Sequence, residues 1–252
     1  MRCLSLAGCS ILALLPLAGY AGDPVVTDSR LITDERRLQI LEAKLASLQR
    51  EVDLVKDRKA IERLQQMWGH YVSDGQAHEA ATLFSVSPLA SIEFAQQGVY
   101  LGRSHIEAFL AAPEVLGKPG ELRETPVMQA VITVAPDGMT AKARWRSLVL
   151  RGIHGQDGVW QEGPYENEYV KEDGVWRIAK LHWYVTVTSS YDLGWHRAPQ
   201  AIAGPLRDPA PDRPPSQHYQ SFPSFFLPPY HYLNPVSGRP VAWDADATGA
   251  AP

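Results

Sequence analysis

Residues 161–185 constrain the fold of this chain more than any other stretch. Two runs rich in Val, Ile, Tyr and Trp flank the turn Lys171-Glu172-Asp173-Gly174. An Asp-Gly pair between such runs is a strong hairpin signal, because both turn residues can take the left-handed backbone that matches strand twist. Side chains alternate along a strand, so the hairpin divides its polar groups between two faces. On the first strand Tyr165, Asn167 and Tyr169 share a face. On the second, alternation sets Leu181, Trp183 and Val185 on one face and Trp176, Ile178, His182 and Tyr184 on the other. A bulge in a strongly curved sheet would reverse that facing.

What precedes the hairpin is helical first and extended later. Over 34–57 the sequence is charged and free of Gly and Pro, and Leu38, Leu41, Leu45, Leu48, Val52 and Val55 recur at alternating spacings of three and four. That is the narrow seam of a coiled coil, suited to self-association; docking on its own domain is the alternative. Helical spacing continues through Ile61, Leu64, Trp68, Tyr71 and Val72, with Gly75 as a stop. A short helix over 78–84, a strand over 91–94 and a turn at Gln97-Gly98 follow. The segment 104–111 reads as a helix capped by Ser104 with Glu107 three residues on. Strands are expected at 127–134 and 140–150. Helices followed by an antiparallel run argue for an α+β fold. Most prolines lie beyond Trp195, which excludes helix interiors and central strands there. The run 221–232 is too aromatic for a solvated linker, so a Pro-rich extended arm laid over an apolar surface is expected.

The first 21 residues read as a secretory signal, with Arg2, an apolar run over 4–17, and Gly19 and Ala21 at a cleavage site. The run is too short for a good membrane span. An exported, periplasmic or secreted protein is expected. Leu6-Ala7-Gly8-Cys9 is a lipobox-like alternative, weakened because the apolar run continues past Cys9. Both cysteines fall inside this segment, so the mature chain would have no thiol chemistry or disulfide. A net charge of -4 gives no support for nucleic-acid binding. No His- or Cys-rich metal spacing, phosphate loop or Gly-x-Ser-x-Gly elbow is present.

Several motifs together resemble the SnoaL-like branch of the nuclear transport factor 2-like superfamily. They are Gly98-Val99-Tyr100-Leu101-Gly102-Arg103 with Ile106, Ala135-Pro136-Asp137-Gly138 with Thr140 and Arg144-Trp145, the hairpin itself, and Gly194-Trp195. The resemblance spans about 58–195. It implies a cone-shaped barrel, a curved antiparallel sheet packed on N-terminal helices around a deep apolar pocket, and a dimer or trimer. The division expected is a signal peptide over 1–21, a linker and coiled-coil helix over 22–57, the domain over 58–195, and the arm over 196–252. The family contains cofactor-free dehydratases, isomerases, dehydrochlorinases and diarylpropane lyases as well as non-enzymatic binding modules, so fold alone does not settle function.

By the resemblance, Asp74 takes the place of a general base at the end of the first domain helix. Burial in an apolar pocket would raise its pKa into a useful range. The partner His of such enzymes falls at Thr125, so the dyad does not carry over. Tyr165 could donate to a developing oxyanion, and His182 or Tyr71 could assist. Tyr100, Trp145, Asn167 and Trp183 are the expected substrate-binding wall, with Arg144 facing away from it. Two functions follow: a cofactor-independent lyase or isomerase acting on a small apolar, aromatic molecule, or a non-catalytic binding or assembly module. An Asp74 facing an enclosed pocket favours the first, an Asp74 facing solvent the second.

Overall fold

A computed structural model of the chain describes residues 29–118 and 120–241. The expected signal segment, with Cys3 and Cys9, lies outside them. Two compact units are present, Met1–Leu48 and Gln49–Pro252.

Helix α1 (Ser29–Ser73) contributes to both units. In the first, Leu38, Leu41, Leu45 and Leu48 are exposed; in the second, Val52 and Val55 are exposed as well. The helix becomes buried at Ile61, Gln65, Trp68 and Val72, and stops at Gly75, whose φ of 67° suits glycine. The heptad seam prolonged from Val55 would fall on Lys59 and Glu62. The buried stripe starts two residues later than Lys59, a rotation of about 200° around the helix. Within the second unit, Val52 and Val55 and the buried stripe are therefore on different faces of α1.

Helices α2 (Ala77–Thr82), α3 (Arg103–Ala111) and α4 (Pro113–Leu116) complete the helical part of the second unit. The capping box at Ser104 does not form. Helix α3 begins a residue earlier, Gly102 is its N-cap without a side-chain bond, and Glu107 instead accepts from His78 at 3.1 Å.

Eight strands form one sheet: β1 (Ser91–Phe94), β2 (Val99–Leu101), β3 (Glu121–Glu124), β4 (Val127–Val134), β5 (Thr140–Ile153), β6 (Asp157–Glu172), β7 (Val175–Trp183) and β8 (Val187–Ser190). The order is β2-β1-β7-β6-β5-β3, with β4 also on β5 and β8 also on β6. The sheet is mixed rather than antiparallel throughout, because β1 runs parallel to β7. The hairpin at 173–174 forms as expected, with positive φ at both Asp173 and Gly174.

Two irregularities position the site. Between Glu168 and Tyr169 the register with β7 slips by one, so β7 carries an extra residue at Ala179. Trp176 and Ile178 therefore face the same side as Leu181 and Trp183, while His182 and Tyr184 face the other. At Gly163-Pro164 strand β6 changes partners: Tyr184 N–H donates to the Pro164 carbonyl and Thr186 N–H to the Glu162 carbonyl as the chain leaves β7 for β8. This switch accommodates a proline inside a long central strand.

Helices and sheet share one core that includes Ile61, Trp68, Phe84, Ile92, Phe109, Trp145, Tyr169 and Leu181. Beyond β8 the residues up to 241 form no helix or extended strand. They lie against the sheet through specific bonds. Asp212 accepts from Leu101 N–H and meets the His105 ring, and Glu93 accepts from both Ser216 N–H and Oγ. Arg144 faces away from the helices, paired with Glu166 and lying over the Tyr230 ring at 4.0 Å.

Candidate ligand cavity

A cavity of about 210 Å³ opens between the end of α1, the strands and the C-terminal segment. Phe94 at the end of β1, Val149 on β5, and Tyr165 and Trp183 on the paired strands β6 and β7 form its apolar wall. The bulge at Ala179 sets Trp183 facing Tyr165, and the two rings stack at 5.8 Å and 23°. Trp183 donates its indole N–H to the Gly163 carbonyl at 3.2 Å, which fixes the ring. Ile202, Ala203, Gly204 and Leu206 of the C-terminal segment close one side.

Beside the apolar wall the lining carries polar side chains, among them Arg123, Thr125, Arg151, Gln161 and Tyr165. Tyr165 is buried, and burial pushes its phenol up to about 12; the neighbouring Trp68 and Ser147 side chains and the Arg123 charge act in the opposite direction. At neutral pH it is therefore a proton donor and not a base. Arg123, half-buried on β3, has its guanidinium lowered to about 10 by desolvation, with the Arg151 cation adding to the effect. Thr125, two residues on, is 4% exposed, and its hydroxyl has no hydrogen-bond partner. Glu114 is the acid on the lining, and it is exposed.

Of the residues expected to form the site, the structure brings only Tyr165 and Trp183 together on this cavity. Trp145 and Asn167 face inward as expected but stand in a closed network deeper in the core. Trp145 donates to the Tyr169 hydroxyl at 2.9 Å, Asn167 donates to Gln65 at 3.0 Å, and Asn167 accepts from His182 N–H at 3.1 Å. Tyr100 is fully buried, stacked on Phe109 at 4.2 Å, and its hydroxyl donates to the Pro209 carbonyl. Tyr71 is half-buried and lines a minor void beside Leu110 and Leu116. Asp74 is exposed and is not among the lining residues, so the apolar surroundings that would tune a base are absent there. His182 stands on the opposite face of the sheet from Tyr165 and Trp183, 1% exposed and stacked on Tyr184 at 3.7 Å.

Arg123 and Thr125 were not singled out as ligand-binding residues from the sequence. Their period-two spacing was visible, but β3 is short and its facing depends on where it pairs with β5. Among the described residues no three His, Cys, Asp or Glu side chains are grouped so as to hold a metal. Among the described residues no helix is long and apolar enough to cross a membrane.

Comparison with known proteins places this geometry. A family model described as a SnoaL-like domain matches residues 53–182, just over half of the chain. A candidate scytalone dehydratase from Novosphingobium aromaticivorans superposes with a TM-score of 0.50 at 20% identity, over 62% of this chain and 97% of that one. The hexachlorocyclohexane dehydrochlorinase LinA-type3 of Novosphingobium barchaimii covers 56% of this chain and 93% of its own at 19% identity, with a TM-score of 0.49. At these identities the likeness is one of fold. No curated relative matches the chain.

Proposed function

The chain belongs to the SnoaL-like domain family, and we propose that it is a binding module for a small, mostly apolar, single-ring aromatic molecule. The observation that carries this reading is the cavity closed by Phe94, Tyr165, Trp183 and the C-terminal segment. An apolar cavity of roughly 150 Å³ takes benzene. About 210 Å³ therefore suits one ring with a short substituent and is small for two linked rings. Stacking against Trp183 and Tyr165 supplies the affinity, and the polar groups supply the orientation. Export through the segment 1–21 is part of the proposal, as is an extended Pro-rich arm that serves as one wall.

A second reading is a cofactor-independent lyase or isomerase, a class to which the name of the similar candidate scytalone dehydratase points. The buried, protonated Tyr165 favours it as a donor to a developing oxyanion. Asp74 would then take the proton. The exposure of Asp74 and the threonine at 125 are why binding comes first. The two readings separate in one experiment. Purified protein is titrated with single-ring aromatics while Trp fluorescence reports binding and mass detection reports loss of water or formaldehyde. Binding without turnover, unchanged in Asp74→Asn, is expected. Turnover that falls in Asp74→Asn would establish the enzyme and overturn the module.

Self-association through the α1 seam completes the proposal. The six apolar seam residues are between 47% and 66% exposed. A dimer or trimer through the seam covers them.

A further inference from the structure

The lining of the cavity contains polar groups left without partners, and they are neighbours. Arg123 and Arg151 are direct cross-strand partners on β3 and β5, and both reach the cavity. Like charges placed opposite one another destabilise a sheet unless something lies between them. Glu121 bonds directly to one of the two and acts on the other only through space: its carboxylate accepts from Arg151 Nε at 2.9 Å, and Arg151 also donates to the Glu114 carbonyl at 3.0 Å. Arg123 makes no ion pair or side-chain hydrogen bond among the described residues, and its Nε is buried without a partner. Desolvating a cation without pairing it is costly, so a site that keeps one has a use for it.

The same face holds a second orphan. Thr125 Oγ1 is buried and unpartnered on the lining, at the position where the resemblance places a histidine. A hydroxyl there donates one hydrogen bond and cannot act as a base. Tyr165, across the cavity, is electrostatically coupled to Arg123 and also keeps its proton. Three donors, one of them charged, thus share a lining with the rings of Phe94 and Trp183. Guanidinium and hydroxyl donors in a desolvated setting match the oxygens of a carboxylate, with charge-assisted bonds the stronger ones.

We propose that Arg123, Thr125 and Tyr165 form a carboxylate seat, and that the ligand is a small aromatic acid whose ring lies against Trp183 and Phe94. This rests on the ligand-binding reading above and gives the chemical class of the ligand. The acid group neutralises the unpaired Arg123 and separates it from Arg151, while the ring fills the apolar part of the cavity. The neutral analogue of the same shape leaves the cation unpaired.

The test is calorimetric titration of the full chain with benzoate and with benzamide, at neutral pH and low salt. Wild type is expected to bind benzoate more tightly than benzamide by on the order of tenfold. In Arg123→Met, benzoate is expected to fall to the level of benzamide while benzamide binding is retained. Thr125→Val is expected to lose a few-fold in benzoate affinity. Far-UV circular dichroism and a thermal melt check that each variant folds. Equal wild-type affinity for the two probes, or a folded Arg123→Met that keeps the preference, overturns the carboxylate seat and leaves the cavity reading standing. Failure of both probes to bind wild type overturns the cavity reading and the seat with it. The wild-type ratio decides alone should Arg123→Met fail to fold.

Discussion

Protonation of His182 sets an acid limit on the stability of this fold. The imidazole is buried on the face of the sheet covered by the C-terminal segment, and neither ring nitrogen makes a hydrogen bond. Glu93 lies 3.5 Å away without a hydrogen bond to the ring, and its carboxylate accepts instead from Ser216 N–H and Oγ at 2.7 Å. Burial therefore prevails and lowers the imidazole to about 3, with Lys180 adding to the effect. An unfolded chain would protonate the same ring near its ordinary value of about 6.5. Between these values the unfolded state binds more protons, so stability is full above pH 6.5 and declines as pH falls toward 3. Integrating that difference from pH 7.5 to pH 5 gives a loss of about 2 kcal/mol from this one residue. With a urea dependence of about 2 kcal/mol per molar, the midpoint moves by about 1 M.

Other groups also titrate in acid, so the measurement is a comparison with His182→Phe. The cavity of about 220 Å³ that His182 borders leaves room for the larger ring, and stacking on Tyr184 is kept. No hydrogen bond to the ring is lost, so at pH 7.5 the variant should lie within about 1 kcal/mol of wild type. Urea unfolding followed by Trp fluorescence at both pH values gives the two differences. Wild type should lose about 2 kcal/mol more than the variant on going to pH 5. Equal losses would refute the reasoning, because they would mean that the buried imidazole is protonated in the folded protein.

Two further outcomes follow from the packing. A Cβ at Gly163 would overlap the Tyr184 carbonyl oxygen at the place where β6 changes partners. Gly163→Ala should therefore destabilise by about 3 kcal/mol or more, or abolish soluble expression; a melt within a few degrees of wild type would contradict the described crossing. Deleting 34–55, which removes the seam and keeps Asp57 with its bonds to Trp176 and Lys171, should reduce the mass in solution to that of a single chain while leaving the cavity-bearing residues folded. Light scattering reads the first and far-UV circular dichroism the second, and an unchanged mass would remove the α1 seam as the interface.

The local signals in the sequence were strong where one rule governed a whole element. Asp173-Gly174 specified the hairpin, and the period of Ile61, Trp68 and Val72 specified the buried face of α1. Alternation correctly separated Tyr165, Asn167 and Trp183 from His182 and Tyr184. It mis-set Trp176 and Ile178, because one extra residue at Ala179 shifts every facing before it. The capping box at Ser104 failed for a related reason. Glu107 found a tertiary partner in His78, which a local motif cannot anticipate.

By itself, then, the sequence determined the helices-then-strands order, the central hairpin and the helical character of 34–73, all of which depend on residues close in the chain. Tertiary structure decided which side chains share a ligand. Arg123 shares the cavity with Tyr165 only because β3 pairs with the far end of β5, and Asp74, one residue past the end of α1, is exposed and off the lining that Val72 reaches. Unpaired charge and missing hydrogen bonds are properties of surroundings, not of residue types. The unpartnered Arg123 Nε and Thr125 Oγ1 are therefore set by strand register and not by local sequence.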